Sequence, residues 1–403
     1  MIALNKNKLY SYLYALLFSV IPFTEHIQAV PNIILAILII TFPFFVKSSD
    51  WKVLRSPVFF SLFILIIVVL TGIIINNRFE DFNFFTKILI IPFLLIVSIP
   101  IKNYRLPFYA FLMGSGSLLT MSLFNLTKHY LMYQGIKMDV GSEVNLLLMG
   151  ERPYLGFIYL ISFVCCVYLI KSEKNKLIKN ILLFASIVFC LFILFIAARL
   201  SILSLMLILG SVIFFTQKKK RTFFISLGLI SALGIFAFLN PNFINRFTAG
   251  FKQTEISIDK IISMEPRSHI WECSASIGNL NDVSFLGYGY RNTIDKLTEC
   301  YSNRDKFENE HHKAYFVESR FNTHNQFLNF YLSNGIMGLL AFLFFFMMLF
   351  KFNYSNYSTF SFVLALFLFC CLENVLSRQL GAMLFGVVIS FLFLSRDRTL
   401  TSE

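Results

Sequence analysis

At 403 residues, with a hydrophobic fraction of 57% and only 14% charged residues, the chain cannot cover a water-soluble surface with polar groups. This excludes a soluble domain and leaves lipid as the solvent. The formal charge of +13 does not point to nucleic acid, because no basic stripe interleaved with stacking aromatics lies outside the apolar runs; basic excess in a membrane protein marks connections facing anionic lipid.

Crossing about 30 Å of hydrocarbon takes roughly 20 apolar residues. The first such run, 9–25, follows Lys6 and Lys8 and has no small-residue cleavage site, so it reads as a retained helix rather than a removed leader. Further spans are predicted at 29–46, 57–76, 84–101, 105–126, 153–170, 177–197, 200–216, 222–240, 325–350, 357–376 and 379–395. The expected fold is an all-α integral membrane protein of about 12 transmembrane helices, a single polytopic domain over 1–403. Gly114 and Gly116 read as helix-packing positions, and Cys165, Cys166, Cys190, Cys370 and Cys371 as apolar packing residues.

Positive charge sets the orientation. With the N-terminus in the cytoplasm, the inside segments hold 18 Lys and Arg, including Lys171, Lys174, Lys176, Lys179 and the run Lys218–Arg221. The short outside segments hold six: Arg78, Lys128, Lys137, Arg152, Arg199 and Arg378. This bias predicts both termini cytoplasmic and places 241–324, a loop of 84 residues between spans nine and ten, outside. Loops of this size usually carry function. Cys273 and Cys300 both fall within it, and an oxidising compartment permits a disulfide between them.

Several polar residues on the outer side stand out. The apolar stretch 181–215 is interrupted by Ala197-Ala198-Arg199 and flanked by lysines at both ends, so it must turn back near Arg199. Arg199 either snorkels to headgroup phosphate or faces inward to bind an anion. A guanidinium suits a diphosphate, because its fork donates two parallel hydrogen bonds and keeps its charge. Arg152, in Glu151-Arg152-Pro153, either pairs with Glu151 or adds a cation for the same anion. Glu373 and Arg378 flank the last outer turn and read as a local ion pair. Gly287-Tyr288-Gly289-Tyr290, before Arg291, is either a flexible aromatic patch for stacking on sugars or an ordinary turn. His269 either supports Arg267 or is solvated, and the adjacent His311 and His312 diverge too far to share a metal.

His324-Asn325 closes the large loop where the tenth span begins, and Gly335 and Gly338 follow three residues apart, a spacing that would let helices approach closely on one face. An imidazole ordinarily titrates at about 6.5, so His324 is either a base placed where water meets headgroups or an interfacial hydrogen-bonding residue. His-Asn, nine residues, then Gly-x-x-Gly resembles the motif of the O-antigen ligase family, integral membrane glycosyltransferases related to the O-antigen polymerases. The likeness covers 150–345, and Arg267 in Arg267-Ser268-His269-Ile270-Trp271 resembles that family's loop arginine.

The resemblance implies a glycan donor on undecaprenyl diphosphate and a lipid A core or growing glycan as acceptor. It also implies a bacterial inner membrane with the active site facing the periplasm, inversion at the anomeric carbon, and no metal or cofactor. On this view His324 is catalytic, Arg199, Arg267 and Arg152 hold the diphosphate, and Asn325, Gly335 and Gly338 support the motif. An O-antigen polymerase joining repeat units uses the same donor chemistry. A flippase for the same lipid would have a similar number of spans, but the repeated halves and broken helices usual in carriers are not evident.

Overall fold

The computed structural model describes residues 6–133, 142–215, 266–279, 283–304 and 310–396, with isolated positions 228, 231, 234 and 307. Described residues are joined into helices by short turns, with no strand among them. In chain order these are α1 (Lys6–Val20), α2 (Ala29–Thr41), α3 (Pro57–Ile75), α4 (Phe82–Ser98), α5 (Arg105–Tyr133), α6 (Ser142–Leu147), α7 (Arg152–Ser172), α8 (Lys176–Phe195) and α9 (Arg199–Phe215). After 215 come α10 (Pro266–Ile277), α11 (Tyr290–Ser302), α12 (Glu310–Ser319), α13 (Gln326–Asn353), α14 (Tyr357–Leu372) and α15 (Gln379–Arg396).

Among the described residues, six segments are long and apolar enough to cross a membrane: Pro57–Ile75, Phe79–Ser98, Arg105–Tyr133, Val144–Ser172, Lys176–Phe195 and Gln326–Asn353. α1, α2, α9, α14 and α15 are apolar but shorter. Pro22 and Pro43 explain two of these, because each ends an α-helix and starts a short 3₁₀ turn. Every expected span therefore falls on a helix except 222–240, which apart from positions 228, 231 and 234 lies outside the described residues. The outward faces are apolar as well: Ile40, Phe63, Phe124, Phe184 and Met347 are all exposed. Helices hydrophobic all round need lipid or protein on every side.

The connections fall into two groups that interlock at opposite ends. At one end His26 Nε2 lies 2.9 Å from Met149 O, and Gln379 donates to Gln28 O at 2.9 Å. Also at this end, Lys87 Nζ donates to Ser377 O at 2.6 Å and Arg78 Nη2 to Gly287 O at 2.7 Å. At the other, Arg105 Nη2 donates to Ser172 O at 2.5 Å, and Lys171 Nζ bonds Ser358 Oγ at 2.9 Å. These are the two sets of connections that the charge bias separates. Gly114 on α5 packs directly against Ser19 of α1, whereas Gly116 faces open space and has no packing role.

The described part of 241–324 is a small helical cap over the first end. α10, α11 and α12 enclose a core of Ile270, Cys273, Leu297, Tyr301 and Phe316, and a disulfide joins Cys273 to Cys300. His269 is buried in this cap beside Phe307 and His312, not solvated. Asp81, from the α3–α4 connection, accepts Tyr290 N at 2.8 Å and Arg291 N at 2.9 Å, so a bundle carboxylate satisfies the open N-terminus of α11.

Candidate active site

The Thr323–Gln326 segment is pinned before it becomes helix. Asn374 Oδ1 accepts the Asn325 backbone N–H at 3.0 Å and lies 3.0 Å from Thr323 Oγ1. Gln326 Oε1 accepts Leu376 N at 2.8 Å, and Trp271 on the cap donates to Thr323 O at 3.1 Å. The Asn325 side chain accepts Leu328 N at 3.0 Å, an N-cap for α13. Between these anchors His324 takes φ +43°, a left-handed conformation that a non-glycine residue holds only when its surroundings enforce it.

α13 is broken at Gly335, whose φ of +68° and ψ of −166° suit only glycine. The break leaves carbonyls of the preceding turn without helical donors, and the cap supplies them: Tyr288 N donates to Leu332 O at 2.8 Å and Gly289 N to Ser333 O at 2.9 Å. A Cβ on Gly335 would collide with Phe285 O, and one on Gly338 with Asn334 and Phe330 O. The two glycines therefore do not share a face of a continuous helix for neighbour packing. Gly335 admits the cap loop, and Gly338 lets the second arm of α13 lie close to the first.

The same docking corrects the sugar-stacking reading of the tyrosines. Tyr290 is stacked on Phe84 at 4.3 Å, and Tyr288 donates its hydroxyl to Ile277 O at 2.9 Å with Lys296 over its ring.

Two sequence-predicted site residues meet on one carboxylate. Glu373, just beyond the end of α14 and 7% exposed in its side chain, accepts Arg267 Nη2 on Oε1 at 2.6 Å. Its Oε2 lies 3.1 Å from His324 Nδ1. Burial alone would raise the Glu373 carboxyl; the His324 hydrogen bond and charge, then Arg267, outweigh it and hold the group below its ordinary value. An ionised carboxylate can only accept, so Nδ1 carries a proton, and when the ring gives up its other proton Nε2 is left as its acceptor. Nε2 has no hydrogen-bond partner among the described residues. His324 and Arg267 are each partly open, at 26% and 28% side-chain exposure.

Glu373 does not pair with Arg378 as expected. The turn Val375–Ser377 sends the two side chains to different partners, and Arg378 lies 2.5 Å from Glu151 and 3.8 Å from Glu25. Glu373 is the site residue that local reading misses. A lone carboxylate closing an apolar run is the available signal, but both its partners are remote in sequence.

Arg152 and Arg199 each begin a helix, α7 and α9, so the positive end of a helix dipole adds to each guanidinium. Arg152 is buried and Arg199 half-buried. Ala198 and Ser201 pack on Gly156, one turn along α7 from Arg152. Tyr154 on that turn meets Phe369, one turn before Glu373 on α14, at 5.4 Å edge-on. Both arginines thus share the end of the bundle that holds the Arg267–Glu373–His324 cluster. Among the described residues, no group of three His, Cys, Asp or Glu gathers as a metal site would.

The described residues thus form a multi-helix membrane bundle that carries an arginine–carboxylate–histidine cluster at one end, under a disulfide-bonded cap. Residues 183–343, from α8 to the arm of α13 beyond its break, match the model of the O-antigen ligase family. The match includes Arg199, Arg267, His324, Gly335 and Gly338; Arg152 and Glu373 lie outside it. No curated protein matches the chain.

Proposed function

We propose that the protein transfers a glycan from undecaprenyl diphosphate to an acceptor hydroxyl, the lipid A core, at the periplasmic face of the bacterial inner membrane. The observation that carries this reading is the buried Glu373 held between Arg267 and His324 in a chain whose residues 183–343 match the O-antigen ligase family. His324 Nε2 takes the proton of the acceptor hydroxyl as its oxygen attacks the anomeric carbon. The new C–O bond forms on the face opposite the old one, which breaks with its electron pair leaving on the diphosphate, so the centre inverts. Arg267, with Arg199 and Arg152, holds the diphosphate and offsets the charge it gains. Glu373 keeps the proton on Nδ1 and stabilises the imidazolium as it forms, the part a carboxylate plays behind a histidine base.

The same chemistry would serve a polymerase, and deleting the gene in its host separates the two. Lipopolysaccharide that runs as bare core, with long chains retained on undecaprenyl diphosphate, is the expected result. Core bearing a single repeat unit would mean polymerase. An unchanged ladder would remove the transfer reading from lipopolysaccharide altogether.

A further inference from the structure

Glu373 is shared between two groups that the transfer uses at different moments. Arg267 stands on the first turn of α10, in the cap, whereas His324 and Glu373 belong to segments attached to the bundle. The Arg267–Glu373 pair is thus a clasp between cap and bundle, and its cation is also a proposed ligand of the donor. A diphosphate arriving at Arg267 meets a guanidinium whose charge is already neutralised at 2.6 Å by a nearly buried carboxylate. Two anions then compete for one cation where poor screening makes each pairing strong. Tyr154, packed from α7, is a further titratable group that feels Glu373.

We propose that Glu373 couples donor binding to acceptor activation: the donor's diphosphate draws Arg267 away, and the carboxylate, relieved of that ion pair, acts on the His324 Nδ1–H alone. The base is then strongest only when a donor is seated, which orders the reaction donor first and spares the donor from attack before its leaving group is held. This rests on the glycan-transfer reading above, and it gives Glu373 the role of a positioning residue with a signature that a merely structural carboxylate lacks. Removing its charge should improve donor binding while impairing turnover.

The test uses the full-length protein in lipid nanodiscs, with undecaprenyl diphosphate as the binding probe and the host's own lipid-linked glycan and lipid A core for turnover. Glu373→Gln should bind undecaprenyl diphosphate about tenfold more tightly than the parent, the loss of one competing ion pair. Its kcat should fall by about 100-fold. In an Arg267→Ala background the same substitution should not tighten binding. Equal or weaker binding by a folded Glu373→Gln overturns the coupling. Should that variant fail to fold, Glu373→Asp, whose shorter side chain loosens its hold on Arg267, should also bind more tightly, and unchanged or weaker binding again overturns it. His324→Ala separates the two ideas. If it transfers at the parent rate the catalytic reading itself fails, whereas an inactive His324→Ala beside a Glu373→Gln with untightened binding sinks the coupling alone.

Discussion

At the scale of single residues, the site depends on which hydrogen each group can give. Because Glu373 accepts from Nδ1, His324 can only take a proton on Nε2, and no other residue type reproduces that arrangement at this position. His324→Ala is therefore expected to lower transfer by about 10²–10⁴-fold while undecaprenyl diphosphate binding stays at the parent value. Arg267→Lys keeps the charge and loses the planar fork, so donor affinity should fall by about tenfold. A lysine variant that binds as tightly as the parent would show that charge alone suffices. His324 and Arg267 were legible in the sequence because each sits in a recognisable local pattern. Glu373 was not, because its partners lie 106 and 49 residues away along the chain. Proximity in sequence favoured Arg378, which the fold commits to Glu151 instead.

Helical elements were legible for a simple reason: lipid demands long apolar runs, and such runs stand out at any register. The break inside α13 was not legible, because a pair of glycines three apart reads equally as a packing face and as a hinge. What decides is the tertiary partner, Phe285–Gly289, whose amides replace the helical donors lost at Gly335. Gly335→Ala must hold a left-handed backbone and also push the Cβ into Phe285 O, so it should destabilise the protein by about 1–3 kcal/mol. Gly116 is the control. It lies in α5 with open space around its Cα, so Gly116→Ala should change stability by no more than about 1 kcal/mol, in the favourable direction expected of helix propensity. Thermal unfolding in detergent measures both, and equal effects would mean that cap docking at the break contributes nothing. Asn325→Ala removes the cap of α13 and should cost about 1 kcal/mol, less than Gly335→Ala because Asn374 still holds the Asn325 backbone.

For the whole molecule, the question is which side of the membrane the clustered end faces. The fold sorts the connections into two groups without reference to any membrane, and this sorting coincides with the one that lysine and arginine counts make. The coincidence is physical: helices that cross in alternation must deliver alternate connections to the same end, and insertion retains the basic ones in the cytoplasm. The lysine-poor end is the one that carries the cap, the Cys273–Cys300 disulfide and the Arg267–Glu373–His324 cluster, and a disulfide there needs an oxidising compartment. Two exposed positions test the assignment. Arg291 lies on the cap, and Lys174 lies in the turn between α7 and α8 at the opposite end. In a background whose free cysteines are replaced, Arg291→Cys should react with a membrane-impermeant maleimide in intact spheroplasts, and Lys174→Cys only after lysis. The reverse pattern would turn the site towards the cytoplasm, where a lipid A core awaiting its glycan outside could not reach His324, and the proposed transfer would lose its acceptor.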